Sequence, residues 1–137
     1  MFSHVMLGAN DIEESKVFYD ETLLVLGARP GKLSLNHDGH TRYVYFVNNK
    51  NSFIISQPIN NQEASHGNGA TIGFNASSTD MVDEWYQAGK NAGGSDPELC
   101  DPPGIREGAG VQLYLAYLLD PSGNKICAMY RIPRQID

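Results

Sequence analysis

Apolar and polar positions alternate along the first residues of the chain and then change period. In "FSHVMLG", residues 2–8, every second side chain falls on the same side, which predicts a β-strand. From Ile12 onward, apolar side chains recur at helical spacing, with Asp11 as the predicted N-cap and Gly27 as the stop signal. The opening of the chain therefore predicts a strand followed by a helix.

The same plan returns in the second half of the chain. "GATIGFNASSTDMVDEWYQAGKNAGG" alternates as a strand and then becomes helical, with residues 77–79 as cap candidates. An offset of 67 residues carries His4 to Thr71 and Gly27 to Gly94, and it aligns the aromatic pair "FY" with "WY". A shared period of this kind predicts two similar supersecondary units.

Each copy continues with strand-like runs. These runs are "TRYVYFV" and "SFIISQP" in the first copy and "VQLYLAYLL" and "NKICAMY" in the second, with turns at "NNKN" and "DPSGN". Residues 32–35 predict one more strand in the first copy, and its weak counterpart is expected near residues 97–100. The stretch 98–111, "ELCDPPGIREGAGV", is rich in proline and glycine and predicts either a lid over a binding site or a plain surface loop.

The predicted fold is α+β, with two βαβββ modules in one chain. We expect a single domain, 1–137, with module 1 at about residues 2–58, a linker at about 59–68 and module 2 at about 69–131. Strands interrupted by one helix per half indicate curved, mostly antiparallel sheets with both helices on one side. The other side would form a cup, and pockets are usually concave.

Composition narrows the classes of function. With 137 residues, 41% of them hydrophobic and 19% charged, the chain is typical of one globular domain. The net charge of -6 and the lack of a basic cluster argue against nucleic acid or an anionic membrane as a partner. The two cysteines form no CxxC pair, and no apolar signal segment precedes the first strand, so we expect a cytoplasmic protein with free thiols.

"HVMLGANDIEESKVFYDETLLVLG", "DPSGNKICAMY" and the paired modules resemble the vicinal oxygen chelate superfamily, over about residues 2–131. That superfamily includes glyoxalase I, extradiol dioxygenases, epimerases and antibiotic-binding resistance proteins. The resemblance implies a cup with up to four inward metal ligands, one from the first and one from the last strand of each half. Those positions fall on His4, Ile54, Thr71 and Cys127.

This set departs from the pattern of the metal-dependent enzymes. Catalytic metals need about three protein ligands of N, O or S type. Ile54 supplies none, Thr71 is a poor ligand, and Cys127 stands where those enzymes usually carry a glutamate, which leaves His4 as the good match. We therefore expect no conventional metal site and no cofactor. A divalent metal is the alternative, with Gln57 or His66 as replacement ligands.

The expected pocket follows from a period of two along the strands. His4 is a pocket-wall residue, a hydrogen-bond partner for a ligand or only a strand residue. Arg106 is a candidate for contact with an anionic substrate, and the pattern does not decide which faces Arg42, Tyr43, Tyr114 and Tyr117 take. The predicted pocket, with aromatic walls and few charges, comprises His4, Met6, Ile54, Ser56, Thr71, Asn75, Arg106, Tyr114, Cys127 and Met129.

Three functions compete. The first is a metal-free protein that binds a small organic molecule by enclosing it, similar to the antibiotic-binding resistance proteins. The second is a metal-dependent lyase or isomerase of the glyoxalase I type (lactoylglutathione lyase-like), or a dioxygenase. The third is an interaction module without a small ligand, which a sealed concave face would favour. A homodimer is expected in each case, because the resemblance implies paired chains.

Overall fold

The computed structural model of the protein describes residues 1–46 and 51–134. Most of the turn predicted at "NNKN", residues 48–51, lies outside these residues. No helix in the described residues is long and apolar enough to cross a bilayer. The described elements, in chain order, are β1 (His4–Gly8), α1 (Ile12–Val25), β2 (Lys32–Leu35), β3 (Thr41–Phe46), β4 (Ser52–Ser56), β5 (Ile72–Asn75), α2 (Thr79–Asn91), β6 (Gly104–Gly108), β7 (Val111–Leu119) and β8 (Lys125–Arg131).

The strands form two four-stranded sheets with the same topology. The first has the order β1-β4-β3-β2 and the second the order β5-β8-β7-β6. In each sheet the first and last strands of the module pair in parallel, and the other two pairings are antiparallel. The predicted pair of βαβββ modules and the α+β class are confirmed.

Both helices begin at predicted caps. The Asp11 side chain accepts a hydrogen bond from the backbone N–H of Glu14 at 3.0 Å, and Ser78 caps α2 by accepting from Met81 at 3.0 Å. Such caps satisfy amide groups that the first helical turn leaves unpaired. After α1 the chain turns at Gly27, whose φ of 97° is a conformation that glycine adopts without steric cost.

The core lies between the helices and one side of each sheet, and it is continuous across the two modules. Phe53 of β4 meets Phe74 of β5 at a centroid distance of 5.2 Å. The helices pack against each other as well as against their own sheets. The fully buried large side chains are Phe18, Tyr19, Leu23, Tyr45, Ile55, Val82, Trp85, Leu118 and Ile126.

The "DPSGN" turn also links the modules. The buried Asp120 carboxylate accepts hydrogen bonds from the backbone of Ser122 and Asn124, each at 2.9 Å, and from the Tyr19 hydroxyl at 2.6 Å. The Asn124 side chain donates to the carbonyl oxygen of Gly8 in β1 at 2.9 Å. This turn of module 2 is therefore bonded to both β1 and α1 of module 1.

The proline- and glycine-rich stretch 98–111 contains a strand. The counterpart of β2 is β6, at Gly104–Gly108, so the expectation of a strand near residues 97–100 and an unbroken loop beyond it is wrong. Ala109 and Gly110, with φ of 49° and 79°, make a two-residue turn that joins β6 to β7. Positive φ at both central residues is what a tight hairpin requires, so the glycines mark a hairpin here.

Candidate binding face

Each strand turns one side toward the helices and the other away from them. Val5 and Leu7 of β1 pack against the core, whereas His4 and Met6 on the other side are exposed. We call the sides of both sheets that point away from the helices the open face. By strand alternation and register, eight of the predicted pocket residues belong to it: His4, Met6, Ile54, Ser56, Asn75, Arg106, Cys127 and Met129. Thr71 immediately precedes β5 and continues its alternation.

Tyr114 lies on the opposite side of the second sheet. It packs against the core, and its hydroxyl donates to a carboxylate oxygen of Asp83 in α2 at 2.8 Å. This hydrogen bond raises the pKa of Tyr114. Tyr43 likewise faces α1 and donates to Glu13 at 2.6 Å. An amphipathic ring suits either side of such a strand, so the pattern of residues did not assign the face.

The open-face residues line three separate hollows. A hollow of about 220 Å³ between β1 and β5 includes His4 and Asn75 in its wall. Another of about 150 Å³ lies beside Met6 and Thr71. The largest of the three, about 340 Å³, includes Met6 and Ser56 and is called the linker hollow below. Ile54, Arg106, Cys127 and Met129 line none of the three.

The linker hollow lies between the first sheet and the chain that follows β4. Its strand side is formed by β1, β3 and β4, and its other side by residues 57–60 and 63–65. The backbone of Ala64 donates to the Asn10 side chain at 2.6 Å, which holds the linker against the end of β1. The pattern of strand residues does not show that the linker folds back against β1, so the sequence did not predict this hollow.

His4 is exposed, and its ring Nδ1 forms a hydrogen bond with the Ser3 hydroxyl at 2.8 Å. Its partner across the parallel pair is Ser52, while Ile54 pairs with Met6. His4 and Ile54, the expected metal-ligand positions of the first module, are therefore not paired with each other across β1 and β4.

Cys127 is an inert thiol in this environment. Only 7% of its surface is exposed, and a Cβ placed on Gly73, its partner in β5, would lie 3.1 Å from its sulfur. Burial raises the pKa of Cys127 to about 11, against a smaller opposing effect of Lys125. The thiol is therefore protonated at neutral pH, whereas nucleophilic attack needs the thiolate.

The charged side chains on the strands of the open face are basic. By alternation and register, five of the ten lysines and arginines of the sequence belong to this face: Lys32, Arg42, Arg106, Lys125 and Arg131. The described acidic residues lie on helices, in turns and loops, or, as Glu107, on the other side of a strand. The strands of this face therefore carry positive charge although the chain is acidic overall.

Comparisons with known proteins agree with this fold. The family model for the glyoxalase/bleomycin resistance protein/dioxygenase superfamily matches residues 1–128, and the chain belongs to that superfamily. A glyoxalase/bleomycin resistance protein from Albidiferax ferrireducens T118 is 51% identical; the match covers 96% of this chain and 99% of that one, with a TM-score of 0.85. The search of curated proteins found no match.

More distant structures show the fold alone. A putative glyoxalase from Bacillus halodurans is 21% identical with a TM-score of 0.67, and the match covers 95% of each chain. A variant of glyoxalase I from Zea mays is 20% identical with the same TM-score of 0.67; this match covers 93% of the present chain and 44% of that one.

The residues at the expected ligand positions do not fit a conventional divalent metal. Ile54 has no donor atom and Thr71 offers a neutral hydroxyl, which leaves His4 and Cys127 as two donors where a catalytic metal needs about three. Within residues 1–46 and 51–134, no group of three or more His, Cys, Asp or Glu side chains is placed to hold a metal ion. Gln57, one suggested replacement, accepts a hydrogen bond from the backbone of Thr41 at 2.9 Å.

Proposed function

We propose that the protein binds a small organic molecule on the open face and does so without a divalent metal. The superfamily assignment supports such a site, since the superfamily includes resistance proteins that bind a small molecule in a concave pocket. The observation that carries the proposal is the donor set: His4 is the good ligand at four positions where a catalytic metal needs about three. Binding would then depend on shape, hydrogen bonds and charge.

Thermal unfolding with and without chelator tests this proposal. We expect compounds from a small-molecule panel that includes metal-free bleomycin to raise the melting temperature equally in buffer and in excess EDTA. Ligand that binds only the folded state stabilises it by mass action, by about 2.7 kcal/mol at a concentration one hundred times Kd. Stabilisation that EDTA abolishes would contradict metal-free binding.

Metal titration tests the lyase and dioxygenase alternative. Nickel, zinc, manganese and ferrous iron would be titrated into untagged protein, into His4→Ala and into His37→Ala, whose histidine is exposed in a turn. We expect no tight stoichiometric binding to any of the three. A metal that binds the unaltered protein and His37→Ala but not His4→Ala would overturn the proposal. Turnover of the hemithioacetal of methylglyoxal and glutathione would then be assayed.

We also propose that the protein forms a homodimer. Several large apolar side chains are exposed on its surface, among them Leu24, Leu33, Leu35 and Phe46, and dimers are common in the superfamily to which the chain belongs. Light scattering after size-exclusion chromatography should give twice the chain mass of 15.0 kDa. A mass that stays at one chain across the accessible concentration range would contradict this.

A further inference from the structure

We propose that the bound molecule is a small organic carboxylate, held by Arg42 in the linker hollow. This inference rests on the proposed function and specifies the chemical class of its ligand. Three observations support it: the charge of the open face, the geometry of Arg42 and the apolar side chains around it.

The strands of the open face carry cationic side chains that make no ion pair in the part of the chain that the structure describes. The net charge of the chain is -6, yet the charged strand residues of this face are basic. Ion pairs in residues 1–46 and 51–134 lie elsewhere, at Lys16–Asp20 and Lys90–Asp96, and the His37 ring lies 3.4 Å from the Asp38 carboxylate. Cationic side chains raise the local concentration of anions near the surface that carries them.

Arg42 is the cation of this face that lies in a hollow of ligand size. It is half-buried on β3, between Ser34 of β2 and Ser56 of β4. Its Nε donates to the Ser56 hydroxyl at 3.1 Å, which fixes the plane of the guanidinium. No described hydrogen bond uses its two terminal nitrogens. Paired N–H groups of this kind match the two oxygens of a carboxylate.

Other open-face cations are engaged differently. Arg106 donates to the backbone carbonyl oxygens of Asp101 and Pro102, at 3.1 and 2.8 Å. Lys125 lies over the Tyr117 ring, 4.8 Å from its centre. The guanidinium of Arg106 and the ammonium of Lys125 are thus occupied by groups of the protein. Arg42 uses only its Nε in this way, which leaves its terminal N–H groups to bind a ligand.

The rest of the hollow suits the body of an organic molecule. Met6 and Ile59 line it and are 48% and 61% exposed, and Pro58 and Ala64 add further apolar surface. The volume of about 340 Å³ is at the small end of the range for ligand pockets. A compact apolar group attached to one carboxylate therefore matches both the charge and the size of the site.

Glu63 is the acidic residue in the wall of the linker hollow. It is exposed on the linker and makes no ion pair with Arg42 among the described contacts. Like charges repel, so Glu63 opposes binding of an anion. Its removal should strengthen the binding of a carboxylate, whereas removal of Arg42 should weaken it.

The test compares acids with their neutral analogues. Benzoate, phenylacetate and octanoate would each be titrated beside the corresponding primary amide, by calorimetry and ligand-observed NMR in EDTA. We expect at least one acid to bind, and its amide to bind about tenfold or more weakly, since a charged hydrogen bond contributes more than a neutral one. Arg42→Gln should abolish this preference, and Arg29→Gln, at an exposed arginine between α1 and β2 that lines none of the hollows described, should retain it.

The outcomes separate this inference from the proposed function. Equal binding of acids and amides, or a preference that survives in Arg42→Gln, would overturn the role of Arg42 and leave small-molecule binding standing. Stabilisation by other compounds with no binding of any acid would overturn the carboxylate assignment. If Arg42→Gln fails to fold, Arg42→Lys keeps the charge without the planar fork, and the acid should then lose part of its preference.

Discussion

Buried polar side chains determine how the ends of the two modules meet. Asp120 is 4% exposed, and both of its carboxylate oxygens accept hydrogen bonds, from the backbone on one side and from Tyr19 and Asn124 on the other. Burial, followed by the proximity of Asp120, raises the pKa of Tyr19. When a buried polar group loses such a partner, its desolvation penalty is no longer offset by a hydrogen bond, and the folded state is destabilised.

Tyr19→Phe should therefore destabilise the protein by about 1–3 kcal/mol, because it leaves the Asp120 carboxylate one donor short. Chemical denaturation of both proteins gives the difference in unfolding free energy. Tyr86→Phe is the matched control, since its hydroxyl donates to Asp96 at the surface, and it should cost less than about 0.5 kcal/mol. Equal effects of the two substitutions would show that burial of Asp120 does not matter.

Cys127 should react with a disulfide reagent far more slowly than Cys100. Its folded-state pKa of about 11 means that the reactive thiolate is scarce at pH 7.5 and increases as the pH rises toward 11. Reaction of Cys100→Ser, which retains Cys127, should show a slow phase that accelerates with pH and becomes fast in denaturant. A fast phase of Cys127 at pH 7.5 in the folded protein would contradict this environment.

At the scale of elements, the sequence predicted the order of strands and helices because their signals are local. Caps at Asp11 and Ser78 and the helical spacing of apolar residues need no knowledge of the rest of the chain. The sequence did not predict β6, because glycines at these positions are typical both of a loop and of a hairpin. The pairing of β6 with β7 shows that they belong to a hairpin. The side taken by Tyr114 was likewise decided by a distant partner, Asp83.

Gly89 permits the close approach of α2 to its neighbours. A Cβ at this position would overlap Cδ1 of the buried Leu118 and lie 3.3 Å from both Phe18 and Thr22. Overpacking destabilises the folded state by about 1–3 kcal/mol, whereas the higher helix propensity of alanine than of glycine stabilises it by up to about 1 kcal/mol. Gly89→Ala should thus lower the unfolding free energy by about 1–2 kcal/mol, as measured by denaturation.

Gly67→Ala is the control for this substitution. Its Cβ would meet Ala70 at an ordinary 3.4 Å in the linker, so little change in stability is expected. If Gly89→Ala were as stable as the unaltered protein, α2 would have room to shift away from β7.

At the scale of the whole molecule, the two modules share one core. The Phe53–Phe74 contact, the packing of α1 on α2 and the hydrogen bond from Asn124 to Gly8 all cross between them. The repeat at an offset of 67 residues predicted two similar units, but a repeat does not reveal how its copies pack. The linker hollow was unpredictable for the same reason, since it depends on where residues 57–65 return.

The modules should unfold together. Trp85, the single tryptophan, is buried in α2, so its fluorescence reports on module 2, while far-UV circular dichroism reports on both. We expect the two probes to give coincident denaturation curves, as for a two-state transition. Asn124→Ala removes a link between the modules and should shift both curves equally. A fluorescence transition that precedes the circular dichroism transition would indicate separate folding units.

The alternation of strand residues gives the two sides of each sheet different roles. Side chains turned toward the helices, such as Ile55 and Ile126, hold the fold together, whereas their neighbours on the open face, such as Ile54 and Lys125, contribute little to that core. Substitutions at exposed open-face positions should therefore cost less folding free energy than substitutions on the helix side, and the buried Ser56 and Cys127 of the same face are exceptions. Libraries restricted to the exposed positions of this face should yield proteins with new specificities on an unaltered scaffold.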